Sequence, residues 1–507
     1  MPQYYVRIEA VNLDYSVYDT HDISTIRGGS FLILNSFNGI KRKAKKAGVQ
    51  LKILSSAASE AIIRFEANGD NEAFKIEKMC YNALPDTTKK FTTFVSAILP
   101  ITENQSFQTH IEKLKARCRW QQYKNLSFVL PKPSMKTKDP CSFDGVRPAI
   151  YPEGGNEKSS SIVRIRRKNG KKFRNDLYNK LIDKSVFVSE QEDELEPIKK
   201  TKFVNDLETL SSNPEMRSLD GKIAFIYIDG NRFGRIRNKL FEVERYLSED
   251  EKLLKDFQDR IQREIREPAL ETILKFALEP ENKSFLTSSK DIRLETLLWG
   301  GDEIEWVVPA WQAFNVLKIF FNEASKQQYY SHEKLEKPIL LTHAGGVVFC
   351  SHNLPILQVR KYAHQLCDIA KSNIPTDVDS IDCTADCFAF LNMTAFDLIK
   401  GDVFRFLKEY HFPASPNEFI LKAIEIESLE HNLITIKNYF PRNKLFDITT
   451  ALKNQNFNEI NTILEKVYEL VPERSVELKN AITDIINGNL HRWFLISDLL
   501  SYVGEDK

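Results

Sequence analysis

The sequence predicts an α+β protein: two βαββαβ units in tandem, the second carrying the chemistry, followed by a C-terminal helical bundle. Three observations predict it. Short apolar runs alternate with helical patterning twice over, in residues 1 to about 100 and again in 221 to about 400. A buried-strand run from Ile223 to Ile228 ends in an acid and a glycine, Asp229-Gly230. From about residue 401 to 507 only helical periodicity remains.

The first unit, residues 1–100, opens with a strand at Tyr4 to Ala10. A helix is expected over Phe31 to Ala47, with Phe31, Leu34, Phe37 and Ile40 in register. A strand pair follows at Val49 to Leu54 and Ala61 to Phe65, then a helix at Ala73 to Leu84 and a strand at Phe91 to Leu99. This is the ferredoxin-like order. Residues 101–220 read as a connector. It holds a helix near 105–122, the Pro131-Lys132-Pro133 stretch and a small cysteine-containing module from Cys141 to Ala149. The basic run Arg164 to Lys172 reads as a solvated hairpin or as an RNA- or phosphate-binding patch, and an acidic stretch spans Glu190 to Glu196. In the second unit, residues 221–400, the strand ending at Asp229 leads into a long charged helical stretch, 232 to about 279. A hairpin at Leu297 to Val308, a helix bearing Trp311, Phe314, Leu317 and Phe321, and a strand from Ile339 to Cys350 broken by Gly345-Gly346 come next. Pro355 starts a helix to Lys371, and Cys387 to Leu391 supplies a last strand. Residues 401–507 contain helices at Ile460 to Leu470, Ser475 to Ile486 and Trp493 to Tyr502.

At 507 residues the chain exceeds one domain, and its net charge of +1 excludes a nucleic-acid coat or a membrane-surface protein on composition alone. No apolar run is long enough to span a bilayer, and Met1-Pro2-Gln3-Tyr4-Tyr5 lacks a basic region followed by an apolar one. The 7 cysteines are scattered and odd in number, which suits reducing surroundings. The expectation is a cytoplasmic chain without a membrane partner.

The chemistry concentrates at Gly300-Gly301-Asp302-Glu303, between the apolar runs Leu297-Leu298-Trp299 and Ile304 to Val308. The glycine pair permits left-handed backbone and close approach of a polyphosphate, and two carboxylates at a hairpin tip suit Mg²⁺ bound against a nucleotide. Asp229, at the C-terminal end of a central strand, can face Asp302 on a neighbouring strand. Two ions held there can activate a 3′-hydroxyl and stabilise a leaving pyrophosphate. The plainer readings are a solvated surface turn for the hairpin and a helix cap for Asp229.

These residues carry a resemblance. Asp229-Gly230-Asn231-Arg232-Phe233-Gly234 followed by Gly300-Gly301-Asp302-Glu303 resembles the palm domains of GGDEF cyclases and of the large polymerase-like subunit of type III CRISPR complexes. Ala344 to Val348, Pro355 and Ala370-Lys371 are similar to the later strand and helix of that palm. Thr20 to Ile33 is similar to the subunit's first, non-catalytic palm, and Cys141 to Ala149 to its cysteine-containing insertion; the HD nuclease domain has no counterpart. The resemblance implies Asp229, Asp302 and Glu303 as catalytic carboxylates, and those three with the Gly230 carbonyl as metal ligands. It implies a nucleotide held by Gly230, Phe233, Gly300, Gly301 and Lys371. The cofactor implied is Mg²⁺ or Mn²⁺, and the substrate a nucleoside triphosphate, ATP favoured. The partners implied are nucleotides, RNA and the subunits of a CRISPR-like complex. The two nucleotides would be held between the palms of one chain or within a homodimer.

Departures qualify the match. The subunit usually has a second acid where Asn231 stands and an Asp where Glu303 stands. Arg237 occupies the position of the guanine-reading Asn of diguanylate cyclases, which argues against cyclic-di-GMP as product. The cysteine module has one Cys where pairs are expected, so a zinc site would need Cys118 or other partners and is not expected. In the first unit Ser55 to Glu60 offers one carboxylate at the hairpin position, which fits a structural role. His21-Asp22 precedes a helix in an α/β unit, unlike a metal phosphohydrolase pair, and Cys383 and Cys387 fit strand packing. The function expected is a nucleotidyltransferase or cyclase making a cyclic nucleotide or oligonucleotide messenger in prokaryotic antiviral defence. The alternative is a catalytically weak palm acting as nucleotide sensor or scaffold in an RNA-guided complex.

Overall fold

The computed structural model describes residues 1–57, 59–102, 105–125, 127–132, 137, 139–186, 202–242, 247–331, 337–372, 374, 385–393 and 399–504. It is a mixed α+β architecture with two main sheets. The first contains β1 (Gln3–Val11), β2 (Leu51–Ala57), β3 (Glu60–Glu66) and β4 (Thr93–Pro100), antiparallel throughout, in the order β2-β3-β1-β4. A ribbon, β5 (Tyr151–Gly154) with β6 (Glu157–Ser159), flanks the Cys141 module. The second sheet contains β7 (Lys222–Gly230), β8 (Glu295–Gly300), β9 (Glu303–Pro309), β12 (His343–Ser351), β13 (Cys387–Met393) and β14 (Leu421–Lys422), in the order β14-β13-β12-β7-β9-β8. A second ribbon pairs β10 (Tyr329–Tyr330) with β11 (Ile339–Leu340). Four strands of this sheet, β8-β9-β7-β12, repeat the order of the first: hairpin strand, its partner, first strand, last strand. β13 lies parallel to β12, joined across the helix Ile356–Lys371.

Several elements differ from the sequence reading. The stretch Phe31 to Ala47 is two helices, Ile23–Leu34 and Asn38–Lys46. The first is capped by Asp22, whose carboxylate accepts the Thr25 N–H at 2.9 Å. It stops because Asn35 Nδ2 and Ser36 Oγ bond back to the carbonyls of Phe31 and Leu32, at 2.8 and 2.7 Å. Ile339-Leu340 belongs to the ribbon, which Leu341 extends by donating to the Gln328 carbonyl at 2.8 Å; pairing with β7 begins only at His343. β12 runs through Gly345-Gly346 unbroken. A Cβ at Gly346 would lie 1.9 Å from the Ala363 carbonyl oxygen, so the glycine is what lets the following helix seat directly on the sheet. The region beyond 401 is not purely helical, since Leu421 and Lys422 pair with Phe388 and Cys387.

The largest correction concerns the basic run. Arg164 to Lys172 is no hairpin; it lies in a 26-residue helix, Ser161–Val186, that crosses Ile23–Leu34. The crossing is made by glycines: a Cβ at Gly28 would meet the Arg166 carbonyl oxygen at 1.9 Å, and one at Gly170 would meet the Gly28 backbone at 2.7 Å. Only the outer face is solvated. Arg166 and Arg174 are buried outright. Arg166 bonds Asp19 at 2.7 Å, and Arg174 donates to the Val204 carbonyl at 2.6 Å and to Glu295 at 2.9 Å. Glu295 also takes Arg27, so one buried carboxylate at the root of β8 neutralises two guanidinium groups. The acidic stretch Glu190 to Glu196 and Cys383 lie outside the described residues.

Candidate functional site

β7 is buried from Ile223 to Ile228 and delivers Asp229 to its end, where the side chain is partly exposed. Gly230 follows because nothing larger fits: a Cβ there would lie 2.4 Å from the Phe233 ring. Phe233 folds over Gly230 and packs edge-on against Phe257 and His343. Asn231 turns away from the site. It is 1% exposed, its N–H donates to the Thr342 carbonyl at 2.7 Å and its Nδ2 to Thr342 Oγ1 at 3.1 Å.

β8 and β9 form the hairpin, with Gly300 paired to Glu303 and the turn made by Gly301 and Asp302. Gly301 takes φ +59°, the left-handed region that favours glycine. Glu303 accepts from the Tyr227 hydroxyl at 3.1 Å, across from β7. Tyr227 stacks on His364 at 3.6 Å between ring centres. Behind it, fully buried Glu305 accepts from Arg360 at 2.6 Å and Tyr18 at 3.2 Å and bonds His364 at 3.0 Å.

Burial raises the carboxyls of Asp302 and Glu303 above their usual range, and the charge of Asp229 is the next cause for both. Lys371, at the end of its helix, forms an ion pair with Asp229. Burial works to lower its ammonium, but Cys367 and Asp229 outweigh that and leave it above the ordinary value. A residue that sequence reasoning missed completes the group. Arg266 is buried, donates from Nη1 to the Gly301 carbonyl at 2.7 Å and lies 4.3 Å from the Trp299 ring centre. In the sequence it is one cation in a long charged helical stretch; only the π-helical turn Ile261–Arg266 aims it at the hairpin.

A cavity of about 1280 Å³ lies between the two sheets' hairpins. Phe233, Gly300, Gly301 and Asp302 line it, with Arg237 and Arg266; Ser55, Ser56, Ser59 and Glu60 of the first hairpin face them. Asp229, Gly230, Glu303 and Lys371 do not line it. Lys41, Lys52, Lys180 and Lys255 stand on its wall together with Asp176, Asp259 and Glu267, so its charges nearly balance. The first sheet carries its own acid pair. Glu9 and Glu60 are directly opposed across β1 and β3, and Arg7 bridges them, 2.5 Å from each. In the second sheet Asp229 and Glu303 lie one residue beyond the paired Ile228 and Ile304.

The donor set is all oxygen, which suits Mg²⁺ or Mn²⁺, and Mg²⁺ is commonly held by one or two carboxylates plus substrate phosphates. No three His, Cys, Asp or Glu side chains among the described residues gather as an ion-holding group, so Asp229, Asp302 and Glu303 do not form a closed cage. Cys141 is buried, and Cys118 donates to the Arg7 carbonyl at 3.9 Å.

The raised carboxyls predict a pH effect on stability. Asp302 and Glu303 hold protons in the folded chain over a window where the unfolded chain has lost them. The stability this contributes is present at low pH and lost as pH rises through the folded values. Asp302→Asn is therefore expected to raise Tm at neutral pH, with the gain shrinking as pH falls, as read by calorimetry across a pH series.

No family model matches the sequence, and no curated protein is similar to it. Its structural neighbours are Csm1–Csm4 cassettes. The apo cassette matches with a TM-score of 0.48 and 12% identity, covering 99% of this chain and 70% of that one. The cassette in complex with cA4 gives 0.41 and 12%, covering 73% of this chain and 53% of that one. The cassette with one ATP gives 0.42 and 11%, covering 75% and 56%. The chain thus spans little more than half the length of the chains it matches in the last two. Among the described residues no helix is long and apolar enough to cross a membrane.

Proposed function

We propose that this protein is a metal-dependent nucleotidyltransferase of the palm type, joining nucleoside triphosphates through 3′–5′ bonds into a cyclic nucleotide or oligonucleotide. The observation that carries it is the placing of Asp302 on a glycine turn at the wall of a large cavity, with Asp229 close enough to add to the burial that raises its carboxyl. In this reading both sheets are palm units, the second is catalytic, and the helices beyond residue 401 form the terminal bundle. Asp229, Asp302, Glu303 and the Gly230 carbonyl would hold Mg²⁺ or Mn²⁺. The ion would supply Lewis-acid stabilisation of the reacting phosphate and activation of the attacking hydroxyl. Gly300 and Gly301 leave room for the triphosphate, and Lys371 and Arg266 offset negative charge in the site. Phe233 closes the cavity wall beside the glycines. The motif resemblance supports ATP as the substrate and, in this reading, the subunits of a CRISPR-type complex and RNA as partners.

Incubation with each nucleoside triphosphate and Mn²⁺, with and without RNA, followed by mass spectrometry, is the test. The expected result is pyrophosphate release with a 3′–5′-linked product, lost on chelation. Absence of product from all four triphosphates overturns the reading. Two observations favour a second reading, a catalytically weak sensor or scaffold: Lys371 already sits on Asp229, and Asn231 points into the interior where an acid would serve the site. Nucleotide binding without turnover is its signature.

A further inference from the structure

Arg266 is an unusual residue to bury. The residue is 3% exposed, and its buried Nε and Nη2 have no hydrogen-bond partner among the described residues. An apolar side chain would fill this space without that desolvation cost. The bonds that Arg266 does make converge on one place. Nη1 donates to the Gly301 carbonyl at 2.7 Å and to Gln262 Oε1 at 2.9 Å, and the plane lies over Trp299, the residue preceding the glycine pair. Burial lowers its pKa to about 10, and the nearby Asp302, Glu267 and Glu303 charges work to raise it. The residue closes a π-helical turn between the helices Leu247–Arg260 and Glu267–Leu278, a distortion often found at functional sites.

We propose that Arg266 is a positioning residue for the acidic turn, holding the Gly301 carbonyl and thereby aiming the Asp302 carboxylate. The link is covalent geometry. The Gly301 C=O and the Asp302 N–H belong to one planar peptide unit, so fixing the oxygen fixes where Asp302 begins. The clamp acts where pairing does not reach: Gly300 is held by Glu303, and Gly301 beyond it has no side chain to fix the turn. Gln262 and Trp299 hold the guanidinium plane on one side, and the carbonyl bond transmits that orientation. The role rests on the nucleotidyltransferase reading for its chemical consequence, though not for the geometry itself.

The test compares wild type, Arg266→Met and Arg266→Lys by steady-state turnover with Mn²⁺ and by electron paramagnetic resonance titration of Mn²⁺ alone. Arg266→Met is expected to lower kcat by about 10- to 100-fold, the worth of one charged hydrogen bond, with KM within about threefold. Its Mn²⁺ affinity is expected to fall by about tenfold. Arg266→Lys, which keeps one donor and the charge, is expected to recover most of both. A folded Arg266→Met with unchanged kcat and Mn²⁺ affinity overturns the proposal, as does a rise in KM alone, which would mark a substrate contact. A loss in Arg266→Met that Arg266→Lys does not recover also overturns it. If wild type forms no product but Arg266→Met still binds Mn²⁺ more weakly, the function falls and the positioning role stands. If neither product nor a difference in Mn²⁺ binding is seen, both fall.

Discussion

Asp302→Ala is expected to reduce product formation by about a thousandfold or more while leaving the chain folded. The side chain sits at a turn, on the cavity wall, and supports no strand pairing of its own. Its removal also relieves the repulsion that raises Glu303 and Asp302, so folding should gain slightly rather than lose. Loss of activity with gain of stability separates a functional carboxylate from a structural one, which would move both in the same direction. Pyrophosphate release under saturating triphosphate and Mn²⁺, set beside a melting curve, reads both quantities. Retention of wild-type turnover by Asp302→Ala would sink the two-carboxylate site.

Gly28→Ala is expected to destabilise the chain by about 3 kcal/mol or more, through backbone that cannot yield. The added Cβ would lie 1.9 Å from the Arg166 carbonyl oxygen, so one helix must move off the other. Gly29→Ala is the matched control. Its Cβ would meet the buried Arg166 guanidinium at 3.1 Å and Val17 at 3.3 Å, contacts that ask for a shift of side chains rather than of backbone, and should cost clearly less than Gly28→Ala. Urea unfolding midpoints distinguish the two. The effect of Gly28→Ala should also reach turnover. Separating the helices pulls Arg27 and Arg174 from Glu295, and Glu295 is the first residue of the strand whose other end is Gly300. Equal midpoints for the two variants would show that the crossing is looser than its glycines indicate.

Local signals carried far in the sequence. Asp229 and the Gly300 to Glu303 turn are legible because a strand end and a tight turn are written in adjacent residues. What is not legible is what one element does to a distant one. Gly28, Gly29 and Gly170 carry no local mark of a helix crossing, because the chain they meet is distant in sequence. The run Arg164 to Lys172 reads as solvated because a run of cations usually is, yet the crossing buries Arg166 within it and Arg174 just beyond it. Arg266 carries no mark in the sequence, since a π-helical turn is a consequence of packing. Asn231 invites reading as a lost ligand, whereas its bonds to Thr342 place it in the interior. Lys371, which the resemblance implies as a nucleotide contact, is brought onto Asp229 by the helix seated on Gly346.

The two acid pairs at corresponding strand positions differ in where their positive charge comes from. Between Glu9 and Glu60 it is Arg7, anchored in the same strand as Glu9, so its local concentration is set by chain geometry and does not respond to the medium. Beside Asp229 and Glu303 no guanidinium is built into the strand; Tyr227 stands where Arg7 does, two residues before the acid. There the positive charge comes from a different element, Lys371 at the end of its helix, which forms an ion pair with Asp229. One acid pair is thereby neutralised from within its own strand and the other from a separate helix, so in the nucleotidyltransferase reading only the second of the two look-alike corners can exchange its cation without remaking a strand.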